Sequence, residues 1–210
     1  WINFNQLAKK LCQRHFGIGA DGLILILPSG KYDLKMRIFN FDGSEAEMCG
    51  NGIRCFAKYV FENKLIKKRM FSVETLAGEI IPEIILSEKN NSIEGVKVDM
   101  GKPRLTRKEI PVTGTPDEQV INQKLSIKNN SFMITCVSMG NPHCVIFIDD
   151  VEQFPVKEIG TLIEKNSLFP EKTNVEFIQV LNEREIYFRV WERGVGETMA
   201  CGTGACAAVV

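Results

Sequence analysis

Two cysteines in this 210-residue chain stand in the same unusual setting. Cys49 and Cys201 each begin a Cys-Gly-x-Gly tetrapeptide that leads into an apolar segment with helical character. A helix N-terminus presents unpaired N–H groups and a positive partial charge, which lower the pKa of a thiol and attract a carboxylate. Inversion at a carbon atom requires an acid/base group on each side of it. The sequence therefore predicts two thiols that invert a carbon next to a carboxylate, with the N–H groups stabilising the developing charge.

Three other polar residues belong to the same hypothesis. His143 is one of two histidines in the chain and lies in a Gly-Asn-Pro-His turn after a predicted strand. Asn40 precedes Cys49 by the same number of residues as Glu192 precedes Cys201. We therefore expect Asn40 and Glu192 to lie at equivalent places near the two thiols.

An internal repeat indicates which elements position these residues. A shift of 152 residues (201 minus 49) brings the second half of the chain over the first without a gap. The predicted strand Leu23–Leu27 then meets Val175–Gln179, and Arg37-Ile38-Phe39 meets Arg189-Val190-Trp191. The repeat predicts two similar α/β domains, 1–112 and 113–210. Because some elements would have their repeat partners before residue 1 or after residue 210, we expect the chain to be incomplete at both ends.

Composition excludes several classes of function. The 26 Lys and Arg residues balance the 26 Asp and Glu residues, which argues against a nucleic-acid partner. No apolar run in the chain, Leu23–Leu27 included, is long enough to span a membrane. The seven cysteines form no Cys-x-x-Cys pair, so neither a disulfide framework nor a zinc site is expected. A reducing, cytoplasmic location is the prediction.

These motifs resemble those of a known protein family. The segments Phe39–Glu45 and Met48–Cys55 are similar to the first signature of the diaminopimelate epimerases. Gly140–His143, Trp191–Thr198 and Ala200–Gly204 are similar to the others. The resemblance covers nearly the whole chain, with the motifs in the same order.

The resemblance implies a cofactor-independent isomerase, without a metal, that interconverts LL- and meso-2,6-diaminoheptanedioate for lysine and peptidoglycan precursor synthesis. The implied fold is α/β (α+β), with two pseudo-symmetric domains that each wrap a mostly antiparallel sheet around a central helix. Cys49 and Cys201 are then the acid/base thiols, with His143 assisting Cys49 and Glu192 assisting Cys201. Substrate binding is implied for Asn40, Gly50, Asn51, Asn141, Asn174, Glu192, Arg193, Gly202 and Thr203.

Two alternatives stay open. One is another cofactor-free isomerase of the same fold, similar to proline racemases or to phenazine-biosynthesis isomerases. The thiol pair together with Glu192 and Arg193 favours a substrate with a second polar amino-acid end. The other is a non-catalytic interaction protein, against which the two intact Cys-Gly-x-Gly motifs speak. The family's opening segment and the closing strands of its first domain are absent from this sequence. The sequence is compatible with a homodimer.

Overall fold

The fold is described from a computed structural model, which covers residues 2–128 and 130–210. The chain forms two compact units, Trp1–Met100 and Gly101–Val210. The sequence placed the boundary after residue 112, but the structure places it after residue 100. The reason is that the segment after Gly101 packs with the second unit, where Ile110 and Val112 are buried in the hydrophobic core.

Unit 1 is built around one buried helix. The helices are α1 (Phe4–Leu11) and α2 (Gly50–Glu62). The strands are β1 (Gly22–Leu27), β2 (Leu34–Asn40), β3 (Glu45–Ala46), β4 (Val73–Thr75), β5 (Gly78–Ile80), β6 (Pro82–Leu86) and β7 (Ile93–Val98). Ile53, Phe56, Ala57 and Val60 of α2 are buried at a helical spacing, against β1, β2, β6 and β7. The sheet has the strand order β1-β2-β4-β5, and β3 also pairs with β2. Strands β6 and β7 form a separate hairpin. Among these described pairs, β2–β4 is parallel and the others are antiparallel.

Unit 2 contains a six-stranded sheet in the order β13-β12-β11-β10-β9-β8. The strands are β8 (Gln123–Ile127), β9 (Asn130–Ser138), β10 (Pro142–Phe147), β11 (Asn174–Asn182), β12 (Glu185–Glu192) and β13 (Gly196–Thr198). The helices are α3 (Val156–Glu164) and α4 (Gly202–Val209). Within the described residues, β10 and β11 are the parallel pair and their neighbours are antiparallel.

The two faces of the β10–β11 pair differ in chemistry. Cys144 and Phe177 belong to the hydrophobic core of unit 2, together with residues of α3. His143 and Glu176, which are one residue away along each strand, therefore point to the opposite face. Helix α4 packs against β10 and β11, and Gly204 of α4 approaches Glu176.

The same order of elements occurs in both units. The series α1, β1, β2, β3, α2 of unit 1 recurs in unit 2 as α3, β11, β12, β13, α4, at the offset that the cysteines define. An ion pair recurs with it: Arg37 Nε lies 2.7 Å from Glu45, and Arg189 Nε lies 2.6 Å from Glu197. The predicted mixed α/β fold with sheet-dominated halves is confirmed. Within the described residues, no helix has the length and apolar character needed to cross a membrane.

Candidate active site

Cys201 begins helix α4 and caps it with its own sulfur. Its Sγ accepts a hydrogen bond from the N–H of Gly204 at 3.4 Å and lies 3.3 Å from Oγ1 of Thr203. The residue is only 6% exposed. As the first two residues of the helix, Gly202 and Thr203 have N–H groups without a carbonyl partner inside it, so these groups are suited to a carboxylate.

The environment of Cys201 overturns one expectation from the sequence. Burial, together with the negative charges of Glu192 and Glu176, raises the pKa of this thiol to about 12. The hydrogen bonds from Thr203 and the Gly204 amide lower the pKa, but burial and the charge of Glu192 are the two largest effects and both raise it. The prediction that a helix N-terminus lowers the pKa is therefore wrong for Cys201, which holds its proton near neutral pH.

Glu192 is the last residue of β12 and lies beside this thiol. Its carboxylate accepts a hydrogen bond from Oγ1 of Thr198 and is within hydrogen-bonding reach of Cys201. Burial and then the charge of Glu176 raise the pKa of Glu192, whereas Thr198, Cys201 and the charge of His143 lower it. The carboxylate is thus coupled to the protonation of the neighbouring thiol.

The buried His143 lies at the centre of a chain of hydrogen bonds. Its Nδ1 is 2.7 Å from Oε1 of Glu176, and its Nε2 is 2.9 Å from Oδ1 of Asn141. Asn141 in turn donates from Nδ2 to Oγ1 of Thr203 at 3.2 Å, and Thr203 contacts Cys201. The chain therefore runs from the fully buried Glu176 to the thiol without leaving unit 2.

Asn174, the first residue of β11, joins two turns of the site. Its Nδ2 donates to the carbonyl oxygen of Pro142 at 2.8 Å, and its Oδ1 accepts from the N–H of Arg193 at 2.9 Å. The guanidinium of Arg193 donates to the carbonyl oxygen of Glu171 at 3.3 Å. Asn174 thus positions the Gly-Asn-Pro-His turn and the Arg193 turn relative to each other.

In unit 1, Cys49 repeats the geometry of Cys201. It caps α2, and its Sγ accepts a hydrogen bond from the N–H of Gly52 at 3.2 Å. Gly50 and Asn51 form the start of the helix, and Oδ1 of Asn51 accepts a hydrogen bond from the guanidinium of Arg54.

Asn40 ends β2 at the turn that precedes this cap. Its Nδ2 donates to Oγ of Ser44 at 3.0 Å, and its backbone carbonyl accepts from the N–H of Gly43 at 2.9 Å. Gly43 has a φ of 81°, a conformation that favours glycine. Asn40 thus occupies in unit 1 the place that Glu192 occupies in unit 2, at the end of the equivalent strand.

The structure brings most of the predicted residues together within each unit. In unit 2, hydrogen bonds or close contacts connect His143, Asn141, Thr203, Cys201 and Glu192, and a second set connects Asn174 with Arg193. In unit 1, Cys49, Gly50 and Asn51 share one helix start, with Asn40 in the preceding turn. Over the part of the chain that the structure describes, no group of three or more His, Cys, Asp or Glu residues is placed to hold a metal ion.

Sequence reasoning missed Glu176 and the hydroxyl of Thr203. The visible signal for Glu176 was a carboxylate inside an otherwise apolar strand, between Val175 and Phe177. The second glycine of the motif is closely packed against this carboxylate, because a Cβ on Gly204 would lie 2.7 Å from Oε1 of Glu176.

Comparisons with known proteins show which family this chain is similar to. A family model described as diaminopimelate epimerase matches residues 2–106 and 135–210. The diaminopimelate epimerase of Pelotomaculum thermopropionicum is 58% identical over 208 residues, which cover 99% of this chain and 73% of that protein. The diaminopimelate epimerase of Halothermothrix orenii is 57% identical, covering 100% of this chain and 74% of that protein.

Solved structures share the fold at low sequence identity. A hydroxyproline epimerase from Agrobacterium vitis matches with a TM-score of 0.74 at 14% identity, over 95% of this chain and 62% of that one. A phenazine biosynthesis protein from Bacillus anthracis matches with a TM-score of 0.62 at 20% identity, over 98% of this chain and 67% of that one. At these identities the likeness concerns the fold alone.

Proposed function

The chain belongs to the diaminopimelate epimerase family, and we infer from this membership that it inverts one α-carbon of diaminopimelate. The reaction interconverts the LL and meso isomers, a step of lysine biosynthesis. The observation that carries the inference is the cysteine that caps a helix in each unit, Cys49 on α2 and Cys201 on α4. Each cap combines a thiol with helix-terminal N–H groups, which is the chemistry that inversion next to a carboxylate requires.

The proton balance assigns a role to each thiol. In one direction the thiolate of Cys49 removes the α-proton, and the electrons of the broken C–H bond remain on the substrate next to its carboxylate. The thiol of Cys201 then delivers its proton to the opposite face of the same carbon. Afterwards Cys49 is a thiol and Cys201 a thiolate, which is the form that runs the reverse reaction. The raised pKa of Cys201 supports its role as the proton donor of the resting enzyme.

Two carboxylate groups of the substrate need different partners. The N–H groups of Gly202 and Thr203, with those of Gly50 and Asn51, hold the carboxylate next to the reacting carbon in our proposal. Arg193 holds the distal carboxylate, since a guanidinium binds such a group through two parallel hydrogen bonds. Asn40, Asn141, Asn174 and Glu192 complete the binding set. Glu192 also assists Cys201, and His143 assists Cys49.

Exchange of the α-proton in deuterated water tests this proposal. We expect the protein to incorporate deuterium at an α-carbon of diaminopimelate and to leave proline unlabelled, as followed by mass spectrometry. Exchange into proline but not diaminopimelate would favour the proline-racemase-like alternative. The cytoplasmic location and the homodimer stay predictions, which cell fractionation and light scattering test.

A further inference from the structure

A buried carboxylate that the proposed reaction does not use lies on β11. Glu176 is 0% exposed, and its Oε1 is 2.7 Å from Nδ1 of His143. Its other oxygen, Oε2, is buried without a hydrogen-bond partner within the described residues. An unsatisfied buried polar atom costs about 1–3 kcal/mol, and more when the group is charged. The fold therefore carries an unfavourable group at this place.

The repeat shows that packing alone does not require a carboxylate here. The position of unit 1 that is equivalent to Glu176 is Ile24, 152 residues earlier (176 minus 24). Both side chains pack against the second glycine of the Cys-Gly-x-Gly motif: a Cβ on Gly52 would lie 3.3 Å from Cδ1 of Ile24, and one on Gly204 would lie 2.7 Å from Oε1 of Glu176. An apolar side chain thus fills this place in unit 1, and unit 2 has a charge instead.

What the carboxylate supplies is an acceptor for His143. Asn141 presents Oδ1, which can only accept, to Nε2 of the ring, and the ionised Glu176 can only accept from Nδ1. The ring then carries a hydrogen on both nitrogens, and the carboxylate balances its positive charge inside the protein. Without such a partner a charged imidazole at 0% exposure is strongly disfavoured.

We propose that Glu176 is a positioning residue that keeps His143 protonated on both ring nitrogens and fixes the orientation of the ring. His143 then acts through its charge and through its two hydrogen bonds, because both of its N–H groups are occupied. Its Nε2–H donates to Asn141, which connects through Thr203 to the thiol of Cys201. This inference rests on the proposed epimerase function, because the consequence for turnover needs the two-thiol reaction.

The electrostatics of the site support this role. The charge of Glu176 raises the pKa of both Glu192 and Cys201, while the charge of His143 lowers that of Glu192. The Glu176–His143 pair is therefore within electrostatic reach of the groups to which the proton transfer is assigned.

Two variants separate the charge of Glu176 from its volume. Glu176→Gln keeps the shape and removes the charge, and Glu176→Ile introduces the residue type that unit 1 has at the equivalent place. Glu158→Gln, which removes one carboxylate from the exposed start of α3, is the matched control. For both Glu176 variants we expect kcat for diaminopimelate to fall about 100-fold, the lower end for an acid/base contribution, with KM changed by less than about threefold. The control keeps both constants.

Nitrogen NMR of the imidazole ring gives a readout that does not depend on activity. The chain has two histidines, and His15 is exposed, so His15→Gln leaves His143 as the single histidine signal. In the otherwise unchanged protein we expect both ring nitrogens of His143 to carry a hydrogen at neutral pH. In Glu176→Gln and Glu176→Ile we expect one of the two hydrogens to be lost, because the counter-charge is gone.

The outcomes are distinct. A kcat within twofold of the parent protein in folded Glu176→Gln, a loss that falls on KM alone, or an unchanged His143 spectrum in the variants would each overturn the inference. An absence of exchange with diaminopimelate in the parent protein would instead overturn the proposed function, and the NMR comparison would still decide the protonation of His143.

Discussion

Replacing Gly204 by alanine tests how tightly the cap of α4 is packed on the carboxylate beneath it. The added Cβ would lie 2.7 Å from Oε1 of Glu176, closer than side-chain carbons approach oxygen atoms, and 3.3 Å from Cβ of Cys201. Glu176 is fully buried and is bound to His143, so it moves away only by stretching that hydrogen bond. Overpacking of this kind costs about 1–3 kcal/mol.

The repeat provides a matched control in Gly52→Ala. Here the nearest atoms are Cβ of Cys49 at 3.2 Å and Cδ1 of Ile24 at 3.3 Å, and the latter is the far end of a flexible side chain. Alanine also favours a helix over glycine by about 0.5–1 kcal/mol. Both variants gain this preference, and only Gly204→Ala carries the overpacking cost. We therefore expect Gly52→Ala to change the free energy of unfolding by less than about 1 kcal/mol, and Gly204→Ala to be less stable than Gly52→Ala by about 1–3 kcal/mol.

Thermal unfolding followed by circular dichroism measures this difference. For a chain of this size, 1 kcal/mol corresponds to about 2–4 °C in Tm. Equal Tm values for the two glycine variants would show that Glu176 is not held where the structure places it. That result would also exclude the role of Glu176 as the hydrogen-bond partner that positions His143.

Three further predictions concern the chemistry. Cys49→Ala and Cys201→Ala each abolish epimerisation of diaminopimelate, while circular dichroism shows an unchanged fold. The control Cys55→Ala retains activity. Turnover in Cys49→Ala or in Cys201→Ala would exclude the two-thiol reaction. Arg193→Lys raises KM about tenfold in steady-state kinetics, since one charge-assisted hydrogen bond contributes about 1.5–3 kcal/mol, and an unchanged KM contradicts its role. Glu192→Gln removes a charge that raises the pKa of Cys201, so alkylation of this thiol, measured by peptide mass spectrometry, begins at lower pH than in the parent protein; an unshifted pH dependence is the contrary result.

The sequence predicts those features of the site that depend on the spacing of residues along the chain. The repeat places Cys49 and Cys201 at equivalent positions before a helix and so predicts the two helix caps. The structure has the same hydrogen bond from a backbone N–H to the cysteine sulfur in both caps. The local rule that a helix start lowers a thiol pKa was not sufficient for Cys201. Burial and two carboxylates act on the same sulfur, and none of these is visible in a tetrapeptide.

The role of Glu176 depends on a pairing that the sequence does not encode locally. Strands β10 and β11 are parallel and separated by α3, and their register pairs Val145 with Glu176 and His143 with Asn174. Only this register places the carboxylate beside the imidazole. The strand pattern indicates that a carboxylate at Glu176 is unusual in an apolar strand, but it does not identify the neighbouring strand or its register.

The two units share one scaffold and differ in the polar residues that surround their thiols, with Ile24 against Glu176 and Asn40 against Glu192. In a reversible isomerisation, the ratio of kcat/KM in the two directions equals the equilibrium constant, which depends on the LL and meso isomers alone. The unequal surroundings of the thiols therefore leave the final isomer ratio untouched. These surroundings affect kcat and KM in each direction, and the size of both kcat/KM values, but not the ratio of the two kcat/KM values. A substitution in either unit that lowers kcat/KM from the LL isomer must lower it from the meso isomer by the same factor.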